Sequence, residues 1–387
     1  MPARQRRPLW GLALLAAVAA AACSNATGSQ AQLADPPQLS ADLETVSGIL
    51  QSAVLQSFGA VGTATGSPAT VATPVGALLQ AAPITAPRTS SQPYADAPRR
   101  LQALRQAART LGSGISASVI PPQYLGQTFV WDDVAHQYVV GPDAGPTNGV
   151  RIILYALRSD TAAVAEPSTA VGFADLLDES TTSPAVDKLH VIVKDGTPAS
   201  PGPSTYADYT VSGSVTGNPA TAFTAAAVGY VSDGIHALTF NATFSATNLT
   251  TDNSDAQMDV TWDLDSPVIH VELHETLATS DANHLAVTID FSVTRGAEKV
   301  SVRGTFLVVL SPFALTVNLS ITVNDVAFAR ITGTATATST NIQRHHANGS
   351  AVSAAEDQAL YDLFILPLDM EVVVEHLFNP SQHLMGG

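Results

Sequence analysis

The stretch VIHVELHET, residues 268–276, places two imidazoles and a carboxylate at alternate positions. Alternate side chains of a β-strand point to one face, so His270, Glu272 and His274 would follow each other about 6–7 Å apart on that face. Two imidazoles and a carboxylate can form the protein part of a zinc site. Polar residues at alternate positions are also typical of a solvent-exposed strand face, and this plainer interpretation is the stronger one. We therefore take the three residues as candidate metal ligands, to be tested against a simple polar surface.

Other residues could also bind a metal ion. His274-Glu275 opens like the zinc-protease pattern HExxH, but position 278 is Ala and the segment has the period of a strand, so we exclude that site. His345-His346 lie in what we predict to be a polar, solvated loop. Carboxylates also gather around one predicted hairpin without the spacing of an EF-hand, which favours an acidic surface over a calcium site. These carboxylates are Asp252, Asp255, Asp259, Asp263 and Asp265.

Sequence signatures of nucleophilic catalysis are missing. The chain has no GxSxG elbow, no SxxK and no phosphate-binding GxxxxGK[ST] loop. Its single cysteine, Cys23, allows neither an internal disulfide nor a cysteine-based zinc cluster. The missing signatures favour a protein without catalytic activity, and we predict no cofactor.

The N-terminus has the organisation of an export signal. Three arginines precede an apolar run, residues 9–22, that is too short to span a bilayer and ends in small residues. The sequence Ala20-Ala21-Ala22-Cys23 resembles the lipobox of bacterial lipoproteins. The resemblance implies cleavage before Cys23, a diacylglyceryl group on its thiol, and stable attachment through two or three acyl chains. Because Ser24 follows the cysteine, it also implies the outer membrane. Ordinary signal cleavage would instead leave Cys23 as a free thiol.

The charge balance excludes one class of partner. The chain has 17 Lys and Arg against 33 Asp and Glu, and loss of Arg4, Arg6 and Arg7 with the export signal would leave a formal net charge of −19. Nucleic-acid binding depends on basic side chains that neutralise phosphates, so this surface would repel nucleic acid. Anionic lipid headgroups would be repelled for the same reason. Membrane association must therefore come from something other than a basic patch, and the predicted anchor at Cys23 supplies it.

From about residue 125 the hydrophobic period changes from 3.6 to 2 residues. In LTVNLSITV, residues 315–323, the apolar side chains occupy the odd positions, and HALTFNATFSA, MDVTWDL and HLAVTIDFSV alternate in the same way. Such alternation is typical of antiparallel strands with one buried and one wet face, and short loops rich in Gly, Asp, Asn, Ser and Pro favour hairpins. We predict a mainly β fold: a large antiparallel meander sheet, curved or forming a partial barrel, and covered by a few terminal helices.

Helical periodicity is confined to three segments near the chain ends. Apolar spacing predicts helices over about 40–58 and about 97–111, and the capping box Ser353-x-x-Glu356 predicts a third over about 354–366. The final LDMEVVVEHLF slightly favours a strand over a helix. The chain then divides into a signal peptide at 1–22, a lipidated tether at 23–38, an Ala/Gly/Pro-rich segment with two short helices at 39–115, and an antiparallel β domain with a C-terminal helix at 116–387.

Three hypotheses for function follow. A one-sided sheet closed over by helices resembles, in element order but without a shared motif, the half-barrel lipoprotein carriers, which implies binding of an apolar ligand. The domain could instead be a structural or interaction module with a filled interior that contacts an envelope component through its polar face. The third hypothesis is a metal-dependent hydrolase centred on His270, Glu272 and His274. The expected location is the bacterial cell envelope, with a lipid anchor in the outer membrane.

Overall fold

A computed structural model describes residues 31–49, 52–61, 119–160, 163–183, 185–200, 202–251, 254–281 and 283–366. The predicted signal peptide, Cys23, the helix over about 97–111 and the final strand lie outside these ranges. Within them, no helix combines the length and the apolar character that a membrane crossing requires.

Sixteen strands form one open sheet whose edges are β2 and β16. From β6 to β16 each strand pairs antiparallel with the next strand in sequence. The predicted fold, mainly β with a large antiparallel meander, is confirmed. The strands are β1 Gln127–Asp132, β2 Gln137–Ala144, β3 Gly149–Tyr155, β4 Ala170–Asp178, β5 Thr181–Thr182, β6 Ala185–Asp195, β7 Thr205–Thr216, β8 Ala222–Ser232, β9 Ala237–Thr247, β10 Asp255–Asp265, β11 Val268–Asp281, β12 His284–Arg295, β13 Glu298–Leu310, β14 Phe313–Val323, β15 Val326–Thr336 and β16 Thr340–His346.

The first strands depart from the meander. β1 and β2 form a hairpin, and β3 then pairs in parallel with β1, with Phe129 opposite Ile152. β4 is a strand that the alternation rule does not find, because the run Phe173-Ala174 is buried at consecutive positions. A strand buried on both faces has a continuous apolar sequence and loses the period of 2.

Three strand glycines mark places where the sheet backbone is unusual. Gly229, Gly304 and Gly333 have φ of +152°, +154° and +145°. A Cβ atom at Gly304 would lie 2.0 Å from the carbonyl oxygen of Asn318 in the neighbouring strand. No side chain fits there, so glycine is required, and glycines of this kind allow a sheet to bend locally.

The N-terminal helix predicted over about 40–58 is in fact two helices. The first, α1 (Pro36–Gly48), starts earlier than predicted and begins inside the segment 23–38 that we predicted as a tether. Asp35 caps it, because its side chain accepts the N–H of Gln38 at 3.1 Å, and proline suits the first helical position. The cap and the proline, rather than the apolar spacing, determine where the helix begins.

The second helix, α2 (Ala53–Val61), covers the sheet near its first strands. It packs against β3, β4, β6 and β7, and the Ser57 hydroxyl accepts the N–H of Tyr155 at 3.1 Å. Ser52 caps the first turn, which explains why the chain starts a new helix here. This helix continues past the predicted end at about residue 58, and Gly59 lies within it.

The C-terminal helix, α3, covers residues 354–366 as predicted. Its capping box is formed: the Glu356 side chain accepts the Ser353 N–H at 2.8 Å, and the Ser353 hydroxyl accepts the Glu356 N–H at 3.3 Å. Phe364 packs on Phe306 of β13, with ring centroids 6.0 Å apart. All three described helices thus cover one face of the sheet, which we call the inner face.

Candidate functional site

The three candidate metal ligands lie on the opposite, outer face of the sheet. His270, Glu272 and His274 project from β11, which lies between β10 and β12. Val271 and Leu273 project inward and are buried. The predicted strand and its two faces are therefore confirmed at this segment.

Each imidazole is hydrogen-bonded to a carboxylate of β10. His270 Nδ1 lies 2.7 Å from Asp263 Oδ1, and His274 Nδ1 lies 2.6 Å from Asp259 Oδ1. The hydrogen bond to Asp263 raises the pKa of His270, and the neighbouring Glu272 adds to the increase. Among the described residues no group of three or more His, Cys, Asp or Glu side chains is placed to hold a metal ion. The metal site remains a prediction without a supporting observation.

Glu272 connects this pair to the next strands. Its carboxylate lies 3.3 Å from His270 Nε2, accepts the Ser292 hydroxyl at 3.3 Å, and lies 3.7 Å from Lys299 Nζ. The hydrogen bond from His270 lowers the pKa of Glu272, and Lys299 contributes to the decrease. Ser292 is buried and contacts a carboxylate rather than an imidazole. Its hydroxyl is therefore held by a carboxylate and not by the imidazole of a Ser-His pair.

A pocket of about 360 Å³ opens on the outer face beside these side chains. Its lining comes from five adjacent strands, β9 to β13. Ser292 is buried, whereas the side chain of Arg303 is 63% exposed. Short hydroxyl side chains between long charged ones leave a depression in the sheet surface. The lining residues that matter for its chemistry are Asn241, Thr261, Glu272, His274, Asp290 and Arg303.

The pocket has mixed charge. Arg303 donates from Nε to Asp290 Oδ1 at 2.9 Å, and this hydrogen bond raises the pKa of Arg303. Lys299 supplies a second cation, and Asp259 and Glu272 supply further carboxylates. Both donors and acceptors therefore point into one depression, which suits a polar ligand that carries hydroxyl or amide groups.

The carboxylates considered for calcium do not converge. Asp255 and Asp265 lie at opposite ends of β10, and Asp265 accepts the N–H of Ala237 at 2.9 Å. Asp259 and Asp263 are the histidine partners described above, and Asp252 lies outside the described residues. This arrangement agrees with the acidic-surface interpretation.

The predicted loop at His345-His346 is wrong. These residues end β16 and pair with β15. His346 stacks edge-on against Phe328, with centroids 5.4 Å apart, and its Nε2 lies 3.6 Å from Glu356. The contacts of His346 with Phe328 in the core and with Glu356 at the cap of α3 explain why these two histidines belong to the sheet and not to a loop.

Sequence reasoning missed one buried carboxyl group. Glu275 is 1% exposed and projects from the inner face of β11, opposite Met258 on one side and Ile289 on the other. The alternation of the strand predicts this position, because Glu275 lies two residues after Leu273 and so points to the same face as Val271 and Leu273.

Comparison with known proteins finds no matching family model, no matching curated protein and no matching solved structure. The geometry of the chain itself is therefore the basis for the functional proposal.

Proposed function

We propose that the protein is a lipid-anchored component of the bacterial cell envelope that binds a polar ligand in its outer-face pocket and catalyses no reaction. The contrast between the two faces of the sheet is the observation that carries this proposal. Inner-face side chains such as Phe291 and Trp262 are at most 1% exposed, so not even a water molecule reaches them. Among the described residues, a pocket of about 360 Å³ opens on the polar side. This favours the interaction module with a filled interior.

The side chains of the pocket indicate the class of ligand. Arg303 and Lys299 can bind an anionic group, while Asp290, Glu272 and Asn241 can accept or donate to hydroxyls and amides. A saccharide that carries charged substituents combines these groups, and such saccharides occur at the surface of a cell envelope. The ligand class and the expected location therefore agree.

The proposal of a non-enzymatic role rests on the sequence, which has no nucleophile signature. In the pocket, His274 is held by Asp259, and Ser292 donates to Glu272. These hydrogen bonds fix side chains that would contact a polar ligand, which supports the binding role.

The membrane attachment rests on the lipobox-like sequence that ends at Cys23. An acidic chain with a formal net charge of −16 before processing is not attracted to anionic lipids, so acyl chains are the means of attachment that the sequence supports. Mass spectrometry of the purified mature protein would test this part alone, and an N-terminus with an unmodified Cys23 thiol would contradict it.

The pocket can be tested by isothermal titration calorimetry with muramyl dipeptide, a saccharide that carries amide and carboxylate groups. We expect binding that weakens at least about tenfold in Arg303→Gln, because a charge-assisted hydrogen bond is lost. Thr316→Ala is the matched control, since Thr316 is exposed on β14 of the same face but outside the pocket lining. Equal affinity in wild type and Arg303→Gln would contradict the site.

A second candidate is the apolar carrier, and the extent of the inner face favours it. Apolar inner-face residues continue through every strand from β6 to β15 beneath the helices, as in Val191, Tyr209, Phe240 and Leu319. A ligand could use this surface only by displacing what covers it. Lipid extraction of the natively purified protein tests this candidate: a stoichiometric apolar molecule would support it, and its absence would favour the filled interior.

A further inference from the structure

The two ends of the sheet carry different turns. We call the end with the β1–β2, β8–β9, β10–β11, β12–β13 and β14–β15 turns the proximal end. The other end, with the β7–β8, β9–β10, β11–β12, β13–β14 and β15–β16 turns, is the distal end. The strand registers fix this assignment for the meander, since its successive strands run in opposite directions. The antiparallel pairs from β7 back to β3 and the parallel pair of β3 with β1 place the β1–β2 turn at the proximal end.

Three of the exposed aliphatic side chains lie within strands: Val140, Val228 and Leu307 are 55%, 45% and 51% exposed. The three most exposed, Val134, Ile235 and Val268 at 90%, 81% and 74%, lie at the proximal end together with Val326 at 49%. Each of these four lies in a proximal turn or is the first strand residue after one. No large hydrophobic residue is exposed in the distal turns, as far as the structure describes them. Exposed turns normally carry polar residues, so four aliphatic side chains at one end need an explanation.

Two of these turns hold the aliphatic side chain outward in the same way. Asp132 Oδ1 accepts the N–H of Val134 at 2.8 Å, and Asp233 Oδ1 accepts the N–H of Ile235 at 2.8 Å. The carboxylate is thus turned back onto the backbone of its own turn, and the residue two positions on forms the tip. The acidic groups nearest to these two tips are satisfied within the protein.

The described N-terminus lies at the same end. The N–H of Ala34 donates to Glu298 Oε1 at 2.6 Å, and Asp42 of α1 pairs with Arg295 at 3.0 Å. Glu298 and Arg295 flank the β12–β13 turn, which is proximal. Ala34 lies eleven positions after Cys23, and a chain of that length reaches at most about 40 Å. An anchor at Cys23 thus allows the proximal end, where the described part of the chain begins, to rest on the membrane.

We propose that the proximal end of the sheet rests on the lipid bilayer, with Val134, Ile235, Val268 and Val326 inserted at the boundary between headgroups and acyl chains. The inference rests on the lipid anchor of the proposed function, which supplies the attachment, while the aliphatic tips set the orientation. With the tips at the membrane, the pocket of β9 to β13 opens on the side of the sheet above the headgroups, accessible to envelope saccharides.

A bilayer fits these tips better than a protein partner does. The β1–β2 and β14–β15 turns are about twelve strand spacings apart, roughly 60 Å along the sheet, and the tips between them are separate points rather than one continuous patch. A fluid surface accommodates separated points, whereas a protein interface needs a contiguous complementary area. The acidic chain also specifies a zwitterionic surface, because anionic headgroups would oppose the contact.

The orientation can be tested with the lipidated full-length protein in vesicles of phosphatidylethanolamine and phosphatidylcholine. If Cys23 is acylated it has no free thiol, so Ile235→Cys, Val134→Cys and the distal control Thr338→Cys each carry one fluorescent label. We expect nitroxide-bearing lipids to quench the labels at Ile235 and Val134 and to leave the label at Thr338 unaffected. All three positions are exposed, so the labels do not disturb packing.

The outcomes separate the inference from the proposal on which it rests. Labels at Ile235 and Val134 that stay in water, in protein whose acylated Cys23 is verified by mass spectrometry, would overturn the orientation and leave the anchor intact. A Cys23 found unmodified by mass spectrometry would overturn the anchor. Lipid quenching at position 235 that persists in a Cys23→Ala background, where the introduced cysteine is the only thiol, would support the orientation without the anchor. Quenching at Ile235 that weakens when phosphatidylglycerol replaces half of the lipid would support the zwitterionic preference, and strengthening would contradict it.

Discussion

Neighbouring residues of β12 point to opposite faces of the sheet. The side chains on these two faces differ in how much they contribute to the free energy of unfolding. Phe291 is fully buried, whereas Asp290 is half exposed and pairs with Arg303 across the outer face. Packing and burial stabilise the inner face, while exposed ion pairs contribute little to the free energy of unfolding. The comparison teaches that the outer face can change its polar residues, and so its ligand, without loss of the fold.

The largest expected effect comes from comparing an alanine substitution on the inner face of β12 with one on its outer face. Phe291→Ala should lower the free energy of unfolding by about 3–5 kcal/mol, because a large buried ring is replaced by a cavity. Thr288→Ala, on the exposed face of the same strand, should change it by less than about 0.5 kcal/mol. Urea unfolding followed by circular dichroism measures both. Similar losses in the two variants would show that the faces do not differ as proposed.

Two arginine–aspartate pairs of similar length allow a second comparison. Arg295–Asp42 is 3.0 Å long with side chains 19% and 5% exposed, and Arg303–Asp290 is 2.9 Å long with side chains 63% and 48% exposed. Arg295→Gln should cost about 2 kcal/mol of unfolding free energy, because Asp42 then keeps a buried charge without its main partner. Arg303→Gln should cost less than about 1 kcal/mol. A larger cost for the exposed pair would contradict the division between faces.

The smallest expected effect is a pH dependence of the outer face. The pKa of His270 is raised above 6.5, so the charged imidazole contributes below that value and its contribution is lost as pH rises through the raised pKa. The pKa of Glu272 is lowered below 4.5, so its contribution is present above that value and is lost as pH falls through the lowered pKa. The pair should therefore stabilise the protein most between about pH 4.5 and 6.5.

Differential scanning calorimetry of wild type and His270→Gln from pH 4 to pH 8 would measure this effect. We expect the difference in Tm to be largest inside that window and to stay at about 1 °C, because both side chains are partly exposed. On the inner face, burial raises the pKa of Tyr209, which stays neutral over the whole range. A Tm difference that grows steadily above pH 7 would contradict the assignment.

The sequence alone predicted the features that depend on local periodicity. The alternation in β9 to β12 and in β14 predicted these strands and their faces, and the capping box at Ser353 predicted α3. Prediction failed where long-range packing decides. Examples are the parallel pairing of β1 with β3 and the position of His346 against Phe328.

At the candidate site, too, the sequence predicts local features but not long-range contacts. The side-chain direction of His270 and Glu272 followed from the period of 2, but their partners did not. Asp263 and Ser292 become neighbours of β11 only through the register of β10 and β12. A pocket lined by five strands depends on all four registers between them and on side-chain lengths at each crossing, which a single sequence does not specify.

The meander also sets the order in which the chain can fold. Since each strand from β7 onward pairs with its predecessor, the sheet can grow hairpin by hairpin as the polypeptide is synthesised. The helix α1 is synthesised before every strand, yet its Asp42 pairs with Arg295, 253 residues later. One of the earliest segments of the chain can therefore dock only after the strands up to β12 have been made.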